Sequence, residues 1–104
     1  MKVKNQSIFQ FQVEQETYSV RVTEHSAERA NQRGIDRDVI ISAIFALKLE
    51  RLQTAKENNK DLAVIDENNN VAIILGMNKN TINIITVIDK SDIWVKEGTE
   101  VCKL

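Results

Sequence analysis

Between Ile8 and Val13 apolar and polar positions alternate, with Phe9, Phe11 and Val13 set against Gln10 and Gln12. A period of two predicts a strand with one wetted face. The alternation returns from Thr17 to Thr23, where Tyr18, Val20 and Val22 oppose Ser19 and Arg21. Glu14-Gln15-Glu16 is a short polar turn between them, so the pair predicts a hairpin. The period then changes. Glu24 to Arg33 holds no β-branched residue and is rich in good helix formers. Thr23 stands where a cap is needed, and Gly34 stands where a helix stops in a left-handed conformation. Asp36 opens a second helix, and Ile35 and Ile40 on either side of it fit a hydrophobic staple. Ile40, Ala43, Ile44 and Leu47 recur at helical spacing, and Ile41, Phe45, Leu49 and Leu52 widen that face. One helix is expected near Arg37–Leu52, running out in the polar stretch Thr54–Asn59.

Three strands follow. Asp61–Asp66 is short, and Glu67-Asn68-Asn69-Asn70 is a turn of residues that tolerate positive φ. Val71–Met77 is nearly all apolar, which predicts a central strand buried on both faces. Asn78-Lys79-Asn80 is a second tight turn; Lys79 is expected to be solvated there. Thr81–Asp89 sets Ile82, Ile84, Thr86 and Ile88 on one face against Asn83, Ile85 and Val87. Ile93-Trp94-Val95 is expected to add a short edge strand or to pack back on the sheet, with Trp94 sealing the core. The order β-β-α-α-β-β-β, with an antiparallel sheet of three to four strands, is an α+β arrangement. Its expected core is Ile40, Ile44, Leu47, Ile73, Leu75, Ile84 and Val87.

A chain of 104 residues is expected to be one domain, with its core at residues 8–89 and a C-terminal tail at 90–104. With 42% apolar and 28% charged residues it reads as globular and not as disordered. No apolar run reaches the roughly 18 residues of a membrane helix. The longest, Val39–Leu47, is broken by Ser42. Met1-Lys2-Val3-Lys4 is not followed by an apolar signal core, so the expectation is a cytoplasmic protein without a membrane partner. Cys102 is the single cysteine, which excludes an internal disulfide and reads as part of a frayed end. One histidine, one cysteine and no local acidic cluster imply neither a metal site nor a cofactor. A net charge of −1 gives no global basic field and argues against tight non-specific binding of nucleic acid. A local cationic stripe is the remaining route to an anionic ligand.

His25, Arg29 and Arg33 form such a stripe. At 100° per residue, positions i, i+4 and i+8 drift by only about 40° per step. Ala27 and Ala30 fall on the other side, where their small size allows close packing. Imidazole exchanges a proton near neutral pH, and guanidinium grips phosphate bidentately. RNA brings its own nucleophile, the 2′-hydroxyl, so one general base with cationic stabilisation suffices to cleave it. With Thr23 as cap, His25 lies in the first turn, where the helix dipole favours neutral imidazole. The plainer reading is a solvated face whose arginines are offset by Glu24 and Glu28. Thr86 is an outside candidate: its hydroxyl reaches a phosphate, or it is simply a β-former under a helix. Trp94 could stack on a base, and Tyr18 reads as structural.

The run His25-Ser26-Ala27-Glu28-Arg29-Ala30-Asn31-Gln32-Arg33-Gly34-Ile35, before a helix with an acidic start, resembles the small domains of domain-of-unknown-function family 4258. That family is grouped with the RelE- and BrnT-like ribonuclease toxins. The order of two helices before a strand meander agrees, as does the late strand Ile84–Ile88, and the likeness spans roughly Thr17 to Asp89. Ser26 stands where that family usually has alanine. The resemblance implies a RelE-like fold and a metal-independent endoribonuclease of toxin–antitoxin type. His25 would be the base or acid, and Arg29 and Arg33 the phosphate ligands. RNA and a protein antitoxin would be its partners. The rival reading, favoured by the near-neutral charge, is a non-catalytic binding or accessory protein of a phage or mobile element.

Overall fold

The computed structural model describes residues 5–13, 15–47 and 49–104. The elements are β1 (Asn5–Val13), β2 (Glu16–Thr23), α1 (Glu24–Gln32), α2 (Arg37–Ala46), α3 (Leu49–Asn58), β3 (Leu62–Asp66), β4 (Val71–Asn78), β5 (Thr81–Ile88) and β6 (Glu100–Lys103). The class is α+β. The Glu14 part of the first turn lies outside the described residues.

Local chemistry explains the helix ends. Thr23 is extended (φ −74°, ψ 156°) and its Oγ1 accepts from the Ser26 amide at 3.0 Å, which makes it the N-cap of α1. At the other end Gly34 takes φ +70° and donates to the Asn31 carbonyl at 3.1 Å, while Ile35 donates to Ala30 at 2.8 Å. That pair of bonds is a Schellman closure, and Ile35 and Ala30 are both buried beside it. α3 closes in the same way, through Asn59 at φ 53° and a Lys60 bond to the Ala55 carbonyl.

The sheet corrects the antiparallel expectation. It has six strands in the order β1-β2-β5-β4-β3-β6 and is mixed. The β1/β2, β4/β5 and β3/β4 pairs are antiparallel, whereas β2/β5 and β3/β6 are parallel. Parallel neighbours cannot be joined by a tight turn. The whole of α1 to β4 therefore lies between β2 and β5 in sequence. β4 is central, as its apolar run predicts.

Three other expectations change. The helix expected over Arg37–Leu52 is two helices, because Leu47 is extended (φ −67°, ψ 138°) after α2. Leu47 is nonetheless buried, and the apolar series Ile40, Ala43, Ile44, Leu47, Leu52 and Ala55 continues across the break. The C-terminal stretch is not a tail. β6 lies against β3, and Cys102 is buried in the main cluster instead of fraying. Ile93-Trp94-Val95 forms no strand, and Trp94 is 85% exposed, so it seals nothing.

The core lies between the helices and one sheet face: Val20 and Val22 of β2, Leu62 and Val64 of β3, Val71, Ile73 and Leu75 of β4, and Ile82, Ile84 and Val87 of β5. All seven expected core residues are buried. α1 packs on β5 and β2, and α3 packs on β4. At the hairpin end Phe9 meets Phe45 edge-on at 4.9 Å, and Phe11 stacks on Tyr18 at 5.4 Å. No described helix is long and apolar enough to cross a membrane.

Candidate functional site on helix α1

Ser26, Ala30 and Arg33 follow one another at i, i+4 and i+7, the spacing of a single helix face. Ser26 and Ala30 are buried against the sheet. The Ser26 hydroxyl receives the Thr23 hydroxyl at 2.9 Å and donates to the Ile85 carbonyl at 2.7 Å. It therefore bonds α1 to β5 at the place where the strand is irregular. Arg33 is half-buried, and its guanidinium donates to the Val87 carbonyl, which ties the C-terminal end of α1 to the same strand.

Arg29 stands one turn before Arg33 and is exposed. It makes no side-chain hydrogen bond or ion pair among the described residues; Glu24 and Glu28, which were expected to offset it, do not pair with it. His25 belongs to the first turn of α1, but its side chain lies outside the described residues. The stripe thus has an outward, unengaged Arg29 and an Arg33 fixed at its edge. A guanidinium carries five N–H donors, so the bond to Val87 leaves others for a ligand.

Thr86 does not belong with them. Ile84 pairs with Leu75 and Thr86 pairs with Ile74, and the register shifts between. The extra residue is Ile85, a β-bulge that reverses the phase of the strand. Ile82, Ile84 and Val87 face the helices, while Thr86 shares the opposite face with Ile74. Ile85 lies there too, since a Cβ placed on Gly76 would come 3.6 Å from its Cδ1. The expected grouping of Thr86 with Ile82 and Ile84 is corrected by this bulge, while Ile88 stays on the face of Thr86. A sheet separates Thr86 from α1.

Where α1 ends, Arg33, Gly34, Ile35 and Val39 meet Asn69, Asn70 and Val71 of the β3–β4 turn and Asp89 after β5, around a cavity of about 200 Å³. The turn is held from within: Asn69 donates through Nδ2 to Asp66 at 2.7 Å, and Asn70 Oδ1 accepts from the Ser91 amide and hydroxyl, both at 3.0 Å. Asp89 is exposed and pairs with nothing among the described residues. No cluster of three metal-binding side chains occurs among the described residues. Sequence reasoning missed Ser26 and this cavity. A hydroxyl three residues after the Thr23 cap and four before Ala30 was a signal for the first; nothing local announced the second, because it joins three distant segments.

No family model, curated protein or solved structure matches this chain.

Proposed function

We propose that this chain is an RNA-directed domain of RelE-like type, a metal-independent endoribonuclease whose working face is the outer side of α1. The observation that carries this reading is Arg29, an exposed guanidinium without a partner among the described residues, one turn from an Arg33 that is already held in place. The likeness of the His25–Ile35 run to ribonuclease toxins supports it from the sequence side. In the mechanism, His25 takes the proton of a 2′-hydroxyl. The 2′-oxygen then bonds to the neighbouring phosphorus, and the bond from phosphorus to the 5′-oxygen breaks. Water supplies the proton to the leaving oxygen. Arg29 neutralises the charge that grows on the phosphoryl oxygens. Arg33 is a positioning residue at the rim, and Thr86 has no part. A small protein that covers the Arg29 face would be the inhibitor such an enzyme needs in a cytoplasmic setting.

A second reading has one observation in its favour. Arg33 spends part of its guanidinium on the Val87 carbonyl, as a structural residue would. On this view α1 binds an anionic partner and performs no chemistry.

The test is purified protein with single-stranded RNA, with and without EDTA, beside His25→Ala and a DNA control. Cleavage of RNA alone, insensitive to EDTA and abolished in His25→Ala, is the expected result. Equal background cleavage by both proteins overturns the enzymatic reading and leaves the binding module. Arg29→Lys should restore only part of the rate lost in Arg29→Ala, since an ammonium lacks the fork.

A further inference from the structure

The cavity at the end of α1 offers an unusual set of groups for its size. At about 200 Å³ it is smaller than the roughly 300–1,000 Å³ of most small-molecule sites. It therefore suits one planar fragment and not a whole cofactor. Ile35, Val39 and Val71 give it apolar walls. Its charged groups are of two opposed kinds. Arg33 presents the donors left over from its bond to Val87. Asp89 presents a carboxylate that nothing among the described residues neutralises. The two line one cavity without forming an ion pair with each other.

We infer that this cavity binds a guanine base. Guanine carries two adjacent acceptors, O6 and N7, which an arginine reads bidentately. Its other edge carries two adjacent donors, N1–H and the N2 amino group, which match the two oxygens of a carboxylate. An arginine and a carboxylate that line one cavity without pairing with each other answer the two edges of one base. Adenine presents its N6 amino group where guanine has O6, and so sets a donor against the arginine. A phosphate meets the Asp89 charge and is disfavoured in this cavity, although the outward Arg29 remains open to one. Asn70 uses its Oδ1 for Ser91, and its Nδ2 makes no bond among the described residues. The cavity adjoins Arg33 at one end of the α1 stripe. The inference rests on the proposed function only in taking the base to be part of an RNA strand, and it gives that reading a base preference.

The experiment is a nuclear magnetic resonance titration of the full chain with 3′-GMP and, separately, 3′-AMP. It is repeated with two single-stranded RNA oligonucleotides, one all adenine and one with a single guanine. The mononucleotide arm isolates the base site, and the oligonucleotide arm tests whether it serves RNA. The expected result is shifts at Gly34, Asn69 and Asn70, with at least tenfold tighter binding of 3′-GMP. Asp89→Asn, which keeps the shape and replaces an acceptor with a donor, should remove the preference. Because Asp89 is exposed and makes no bond among the described residues, that variant should keep the native spectrum elsewhere. Equal affinity for both nucleotides, or shifts confined to another surface, overturns the inference. Guanine binding here by a protein that cleaves nothing leaves it standing and removes the ribonuclease. Cleavage without base preference, unchanged in Asp89→Asn, does the reverse.

Discussion

Ser26 does the work of two residues. It completes the N-terminal capping of α1 with Thr23, and it satisfies a carbonyl at the bulge of β5. Ser26→Ala should therefore cost about 1–3 kcal/mol, because the part-buried Ile85 carbonyl loses the hydroxyl that donates to it. Thr23→Ala should cost about 0.5–2 kcal/mol, as other lost caps do. Urea or thermal unfolding measures both, and a loss below about 0.5 kcal/mol for Ser26→Ala would show that the hydroxyl is not needed. The two arginines should separate in the same assay. Arg29→Ala should leave stability within about 0.5 kcal/mol, as is usual for an exposed side chain without partners. Arg33→Ala should weaken the fold, since the Val87 carbonyl loses its donor. At this scale the sequence was readable where a residue answers to its neighbours. The cap at Thr23 and the left-handed Gly34 are of that kind. Asp89 was not readable, since its importance depends on Arg33 and Asn70, which reach it only through the fold.

Elements were legible by period, and their interruptions were not. The apolar series of α2 runs on into α3 because both helices bury the same side. Nothing in Leu47 or its neighbours is a glycine or proline, so the bend leaves no local mark. The bulge at Ile85 is hidden in the same way, since Ile82 to Ile88 alternates smoothly on paper. One extra residue moved Val87 into the core and Thr86 out of it, and with Thr86 went a candidate site residue. Phe45 shows how α2 is tied to the hairpin. It is 59% exposed, yet its ring meets Phe9 edge-on and Phe11 at a tilt. A double-mutant cycle of Phe9→Leu and Phe45→Leu should show coupling of about 0.5–1.5 kcal/mol. Additive effects would mean that the rings merely share a neighbourhood. Within α2, Ile44→Ala should cost about 2–5 kcal/mol through lost burial and a cavity.

Over the whole molecule, strand neighbours close in sequence were foreseen and distant ones were not. Hairpins announce themselves by turns, but the pairing of Ser19 with Thr81, or Leu62 with Glu100, has no local signature. That is why a mixed six-stranded sheet was read as a shorter antiparallel one. β6 makes the C-terminus structural, and its thiol offers a simple check. Cys102 is 8% exposed and should react slowly with a thiol reagent until denaturant unfolds the chain. Rapid reaction in the native state would show β6 detached. Charge gives a second check. With a net charge of −1, and with Arg29 exposed on the working face while Arg33 is turned to Val87 and the cavity, about one phosphate is engaged. The slope of log K for single-stranded RNA against log salt should then be about −0.7. A much steeper slope would place the nucleic acid on another, broader surface.

The parallel pairing of β2 with β5 is also a seam. On one side lies the β1/β2 hairpin; on the other, β5, β4, β3 and β6. Four residue pairs, Ser19 to Val22 against Thr81 to Ile84, join the halves within the sheet. Such a boundary divides cooperative units that open separately. Ser26 and Arg33 bond α1 to β5, so the helix should stay with the larger half while the hairpin swings away. Amide hydrogen exchange should then show Phe11 and Val20 losing protection before Ile73 and Leu75, with α1 following the slower group.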